Sequence, residues 1–215
     1  MSFQYSCFIS YRHPGPNNKL GERIVEDLYN ALSNELGLNL NSPVYLDKDR
    51  LQGGTFYNEA LAKSLCRSVC MIVVFTPTYF SKENPYCSRE YKAMERLEAT
   101  RLNLLPVEDR QNGLIIPIVF RGGKYLPREI SQRRQYYNFE QFLLSDAEMS
   151  RHPDYAAKIK QIGDYVTERF MTFSALNIDP CSDCDNCALP SEEEIKQWLD
   201  GIARPMQQFV MRGGK

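Results

Sequence analysis

Residues 69–76, Val-Cys-Met-Ile-Val-Val-Phe-Thr, followed at 84–94 by Asn-Pro-Tyr-Cys-Ser-Arg-Glu-Tyr-Lys-Ala-Met, decide how this chain folds. An unbroken apolar run of this length reads as a strand buried on both faces, the habit of parallel sheets. Pro77, Asn84 and Pro85 punctuate the loop that follows it. From Tyr86 onward the pattern is helical, and Tyr86 and Glu90 stand four residues apart on one face. A carboxylate and an aromatic ring therefore sit in the first turns of a helix, just past the carboxyl end of a strand. In open α/β sheets the ligand crevice lies there. An exposed helix face is the bland alternative for a glutamate.

Working outward, Tyr5–Tyr11 is a short β-rich run broken by the polar, proline-rich Arg12–Asn18, the form of a first βα turn. Leu20, Ile24, Leu28, Ala31 and Leu32 recur at helical spacing up to the stop at Gly37. Pro43–Leu46 predicts a second strand, and Thr55 an N-cap for a helix reaching about Arg67. Leu114–Phe120 predicts a fourth strand, whose internal Pro117 points to a bulge or a place near the sheet edge. Pro127–Ile130 predicts one helical turn, Gln135–Phe139 a short fifth strand, and Tyr155 to about Phe173 a helix with Ile159, Ile162, Val166 and Phe170 on one stripe. Strands alternating with helices mean a parallel α/β sheet with right-handed crossovers. Beyond residue 173 the character changes to a cysteine cluster and then a helix from Ser191 to about Val210, with Ile195, Trp198, Leu199, Ile202, Met206 and Val210 as its apolar positions. The expected division is a domain over 1–173 and an extension over 174–215, whose apolar stripe packs on the domain's own core, the preferred reading, or on another protomer.

The bulk numbers exclude several classes. A net charge of −1 and a pI near 6.2 give no broad footprint for nucleic acid. No apolar run approaches the roughly 20 residues that span a bilayer. Met1–Tyr5 has neither a basic nor an apolar leader region, so no signal peptide is expected. Cys7, Cys66 and Cys70 lie in apolar segments, where a free thiol behaves as a small hydrophobe, which favours a reducing, cytoplasmic location. Cys181, Cys184 and Cys187 are spaced like part of a metal site, but zinc wants four ligands. Leu189, Pro190 and Ser191 follow where a ferredoxin would supply its fourth cysteine, so Asp183, Asp185 or another chain would have to complete the set. Free or disulfide-prone thiols are the reading preferred, and no metal is expected.

Phe8-Ile9-Ser10-Tyr11-Arg12, Tyr45-Leu46-Asp47 through Gly53-Gly54, Val73-Val74-Phe75-Thr76-Pro77, Tyr86 to Glu90 and Ile116-Pro117-Ile118 together resemble TIR domains, in the family's order, over roughly residues 4 to 172. The resemblance implies a flavodoxin-like five-stranded parallel sheet of order 2-1-3-4-5. It is strongest to the branch, bacterial proteins and the animal axon-degeneration enzyme among them, that cleaves NAD+ at the nicotinamide–ribose bond. Glu90 would then be the catalytic carboxylate. Tyr86 stands where the family usually has tryptophan, keeping an aromatic face without the indole. Arg12 could pair with the pyrophosphate through its planar fork of donors. Ser10, His13 and Asp47 could bind ribose or phosphate oxygens. Asp49, Arg50, Leu51, Gly53 and Gly54 fall in the family's BB loop, a mobile lid or self-association surface.

NAD+ is a substrate in that reading, with no further cofactor. The partners implied are other TIR protomers and a separate sensor or effector protein, in antiviral immune signalling; nucleic acid and membrane are not expected. A non-catalytic TIR adaptor and a nucleoside deoxyribosyltransferase-like enzyme are the rival readings.

Overall fold

The computed structural model describes residues 3–15, 17–47, 56–143, 148–180 and 188–202, with backbone alone at 56 and 57. Five strands, β1 (Tyr5–Tyr11), β2 (Val44–Leu46), β3 (Ser68–Phe75), β4 (Ile115–Val119) and β5 (Tyr137–Asn138), form one sheet in the order β2-β1-β3-β4-β5. Every pairing is parallel. The central strand β3 is buried at all its positions, in keeping with a sequence that is apolar from Val69 onward rather than alternating.

Among the described residues there are six α-helices: α1 (Lys19–Gly37), α2 (Phe56–Cys66), α3 (Tyr86–Leu102), α4 (Arg128–Arg133), α5 (Pro153–Ala175) and α6 (Glu192–Gly201). Helices α1 and α5 pack together against β1 and β3, while α2 packs with α3. Asn18 starts α1 by accepting a hydrogen bond from the Gly21 N–H at 3.0 Å. The buried stripe of α1 is Ile24, Val25, Leu28, Leu32 and Leu36. Leu20, expected in that stripe, is instead exposed, because it lies in the first turn before the helix meets the sheet.

Pro117 is not bulged but, as the second expectation had it, lies near the sheet edge, on β4 beside the short edge strand β5. The β3–β4 register runs unbroken from Met71↔Ile115 to Phe75↔Val119, with Pro117 opposite Val73. Its missing N–H is tolerated because β5 pairs only with Ile118 and Val119 and so makes no ladder bond at Pro117. The expected single turn at 127–130 extends to a short helix, and the fifth strand shrinks to two residues.

At the amino end of β3, the buried Arg101 donates to the carbonyls of Ser68 at 2.7 Å and Val69 at 3.3 Å, and to that of Cys66. Its guanidinium lies over the Phe3 ring at 4.9 Å. Cys7 and Cys70 are free and fully buried, and burial pushes the Cys7 thiol up to about 12, so it stays a protonated small hydrophobe. Cys66 departs from the expected free thiol: it is disulfide-bonded.

The extension helix begins as expected, with Ser191 capping the Glu194 N–H, and packs on α3. Ile195, Leu199 and Ile202 are buried there, and the Trp198 indole lies parallel to the Tyr91 ring. Met206 and Val210 lie outside the described residues. No helix among the described residues is long and apolar enough to cross a membrane.

Candidate active site

The strand order reverses between β1 and β3, so the chain leaves their carboxyl ends in different directions and opens a crevice between them. β1 delivers Ser10 and Tyr11, then Arg12 and His13; β3 delivers the loop of Thr76–Pro85 and then α3.

Glu90 lies one turn into α3 and is 7% exposed. A carboxylate buried this far requires polar partners. Ser10 supplies one, donating its hydroxyl to Glu90 Oε2 at 2.5 Å across 80 residues of sequence. The same Ser10 oxygen lies 2.6 Å from the Tyr79 hydroxyl. Ser10 is 1% exposed, so its hydroxyl faces Glu90 and Tyr79 and not the solvent.

The β1 turn is tied down separately. The Tyr11 hydroxyl donates to the Asp47 carbonyl at 2.7 Å, and the Tyr11 and His13 rings stack at 4.6 Å between centroids. His13 Nε2 and Asp47 Oδ2 are 4.0 Å apart. Arg12 donates to the Asn84 carbonyl at 3.4 Å, linking the β1 turn to the residue pair that opens α3. The Cys87 thiol reaches the Tyr11 carbonyl at 3.3 Å. Tyr86 is half-buried, with the Arg89 guanidinium 5.7 Å from its ring centre. On the β2 side, burial raises the pKa of the Tyr45 phenol, with the charges of Asp47 and Glu90 adding to the effect.

A cavity of about 360 Å³ lies at this end of the sheet, lined among others by Arg12, His13, Asn18, Val74, Thr78 and Asn84. It can hold a group of the size of a nucleoside or a diphosphate, with Arg12 as its cation. The structure thus brings Arg12 and His13 into one cavity, and joins Ser10 to Glu90. Glu90, Tyr86 and Asp47 are not among the residues that line it. Asp49, Arg50, Leu51, Gly53 and Gly54, and likewise Cys181, Cys184 and Cys187, lie outside the described residues. Among the described residues no group of His, Cys, Asp and Glu could hold a metal ion.

Sequence reasoning missed Tyr79 and used Asn84 only as a loop marker. Neither belongs to a periodic pattern. Tyr79 comes to Ser10 because its N–H closes a turn onto the Thr76 carbonyl at 2.9 Å, folding the loop back over β1. A tyrosine four residues past the end of a buried strand is the one signal that could have found it.

The parallel sheet of order β2-β1-β3-β4-β5 flanked by helices belongs to the flavodoxin-like, doubly wound α/β class. The family follows from direct comparison: the TIR-domain family matches residues 7–151, and the chain belongs to it. No curated protein matches it in sequence. Among solved structures it is similar to the TIR domains in the activated Roq1 resistosome that recognises the pathogen effector XopQ, at 19% identity over 93% of this chain and 99% of that one, with a TM-score of 0.37.

Proposed function

We propose that this TIR domain is an NAD+ nucleosidase that breaks the bond between nicotinamide and ribose, with Glu90 as its catalytic carboxylate. The observation that carries the reading is the Glu90 carboxylate itself, nearly buried one turn into α3 and hydrogen-bonded by the Ser10 hydroxyl of β1.

Nicotinamide in NAD+ is already cationic, so it departs with the bonding electron pair and needs no proton. The enzyme has instead to stabilise an oxocarbenium-like ribose and hold it in place. One carboxylate near the ribose does this by charge and by charge-assisted hydrogen bonds to the hydroxyls. The pair of carboxylates that ordinary glycosidases require is dispensable here. Arg12 would bind the pyrophosphate and Tyr86 would offer its ring to the nicotinamide or ribose face. His13 and Asp47 would bind ribose or phosphate oxygens at the rim. A nucleophile then attacks C1 of the ribose: water gives ADP-ribose, whereas an adenine nitrogen or ribose hydroxyl of the same molecule gives a cyclic isomer. The setting proposed is the cytoplasm, in antiviral immune signalling, with assembly of TIR protomers raising activity and a separate protein acting as sensor or effector.

One observation favours a second reading. Because Glu90 does not line the Arg12–His13 cavity, it could be a buried structural acid in a non-catalytic adaptor that works by TIR–TIR association. The deciding experiment is NAD+ consumption by concentrated protein, wild type beside Glu90→Ala, with products separated by chromatography. Nicotinamide release by wild type that is lost in a folded Glu90→Ala protein supports the enzyme. No release by wild type, even when assembled, transfers the case to the adaptor.

A further inference from the structure

We propose that Tyr79 is a positioning residue that acts through Ser10 to hold the Glu90 carboxylate in one orientation, forming a relay Tyr79–Ser10–Glu90. This inference rests on the reading of Glu90 as the catalytic carboxylate, and it adds a residue from the β3–α3 loop to that site.

The direction of the relay follows from counting protons. A serine hydroxyl has one hydrogen and two acceptor lone pairs. Ser10 gives its hydrogen to Glu90 Oε2, so the 2.6 Å contact with Tyr79 can be a hydrogen bond only if the phenol donates. Tyr79 is fully buried, and burial keeps its phenol protonated well above the usual tyrosine range, so the donor persists wherever the protein is folded. The phenol polarises the serine O–H, which strengthens the hydrogen bond onto the carboxylate.

The ring itself is held by packing. Tyr79 meets Phe80 edge-on at 4.7 Å and Phe75 at 6.4 Å. The hydroxyl is therefore delivered to a defined point, and Ser10 is fixed from behind by the β1–β3 ladder at Ser10↔Val73. A carboxylate on a helix side chain has three rotatable bonds to the backbone, and the relay removes that freedom before substrate arrives. Replacing the phenol by a phenyl group leaves all of this packing and deletes only the donor.

The test compares wild type with Tyr79→Phe, Ser10→Ala and the double variant. Tyr79→Phe is expected to lower kcat for NAD+ cleavage about 10- to 100-fold with KM nearly unchanged. The double variant should be no slower than Ser10→Ala alone, because links in series do not add. An independent readout needs no turnover: the Tyr79 hydroxyl proton, identified by its loss in Tyr79→Phe, should be visible by NMR as a slowly exchanging resonance. It should shift in Ser10→Ala and in Glu90→Gln. Unchanged kcat in Tyr79→Phe, additive losses in the double variant, or a hydroxyl proton insensitive to Glu90→Gln would overturn the relay. If wild type releases no nicotinamide while that proton behaves as expected, the relay stands and the enzymatic reading is what fails. Should Ser10→Ala not fold, Tyr79→Phe and the NMR comparison with Glu90→Gln still decide.

Discussion

Glu98 and Arg134 meet through a two-point contact, Nη1 to Oε1 at 2.8 Å and Nη2 to Oε2 at 2.5 Å. The Glu98 carboxylate also accepts from the Leu114 and Ile115 N–H groups at 2.5 and 3.2 Å, and Arg134 Nε reaches the Tyr91 hydroxyl at 3.1 Å. This joins α3, the helix that carries Glu90, to the amino end of β4. Arg134→Met leaves a carboxylate that is 7% exposed with its backbone partners but no counter-charge, and should cost about 3–5 kcal/mol in urea unfolding. Glu98→Gln keeps an oxygen for the two N–H groups and should cost clearly less than Glu98→Leu. Equal costs for Gln and Leu would show that those backbone bonds contribute little.

Alkali tests the same cluster from its phenol. Burial pushes Tyr91 up to about 12, against the opposing pull of Arg134. An unfolded tyrosine ionises near 10, so Tyr91 favours the native state fully below that pH and its contribution is lost as pH rises from about 10 to about 12. The loss is roughly 1.4 kcal/mol per pH unit within that window. Denaturant melts above pH 10 should therefore show a shallower pH slope in Tyr91→Phe than in wild type. Parallel slopes would mean that the phenol is freely hydrated.

Much of this architecture was legible in the residues, and the exceptions have physical reasons. The run at 69–76 could hardly be anything but a central parallel strand, and Pro85 with the pattern after it located α3 to within a residue or two. Local signals of this kind depend only on neighbours in sequence. Pairs such as Glu98–Arg134, Ser10–Glu90 and Tyr79–Ser10 depend on how loops fold back, and no spacing rule encodes them. Pro117 left a bulge and a place near the edge both open for a related reason: the shortness of β5, a property of a different segment, decides for the edge. In the site, the rule about carboxyl ends of strands led to Glu90 and Arg12, but it could not say that the Arg12 cavity and the Glu90 carboxylate have different linings.

The single tryptophan of the chain, Trp198, reports on the extension. Its ring is 5.9 Å from Tyr91 with planes 8° apart, and it meets Phe80 edge-on at 5.5 Å. Ion pairs of α6 with the domain, Lys82–Asp200 and Arg96–Glu194, are substantially exposed and should contribute under about 1 kcal/mol each. The buried Ile195 and Leu199 dominate the docking, so tryptophan fluorescence and far-ultraviolet circular dichroism should lose signal in one coincident transition that added salt barely moves. A fluorescence change that precedes the loss of helix would instead identify α6 as a separately releasable strap.

Gly122 tests the turn after β4. It has φ +70°, and a Cβ there would stand 2.6 Å from Cγ of Pro77, the second residue of the β3–α3 loop. Gly122→Ala should destabilise the protein by about 1–3 kcal/mol, from the left-handed backbone and the clash together. Pro77 lies two residues before Tyr79, so the displaced loop should also lower NAD+ cleavage more than the stability loss alone explains. Full activity in a folded but less stable variant would separate the turn from the site.

Arg12 separates binding from chemistry. Arg12 is among the residues lining the 360 Å³ cavity, and its Nη1 holds the Asn84 carbonyl only at 3.4 Å, a weak tie that a phosphate would outcompete. Arg12→Ala should raise KM for NAD+ by about 10- to 100-fold, the worth of a charge-assisted contact, while kcat changes much less. Glu90→Ala should do the reverse, lowering kcat by at least about 100-fold with a modest effect on KM. Arg12→Lys should recover only part of the affinity, because an ammonium cannot reproduce the planar two-point grip on a diphosphate. Steady-state kinetics of the three variants check the division of labour. An Arg12→Ala protein with unaltered KM would place the diphosphate elsewhere and leave the cavity without its proposed occupant.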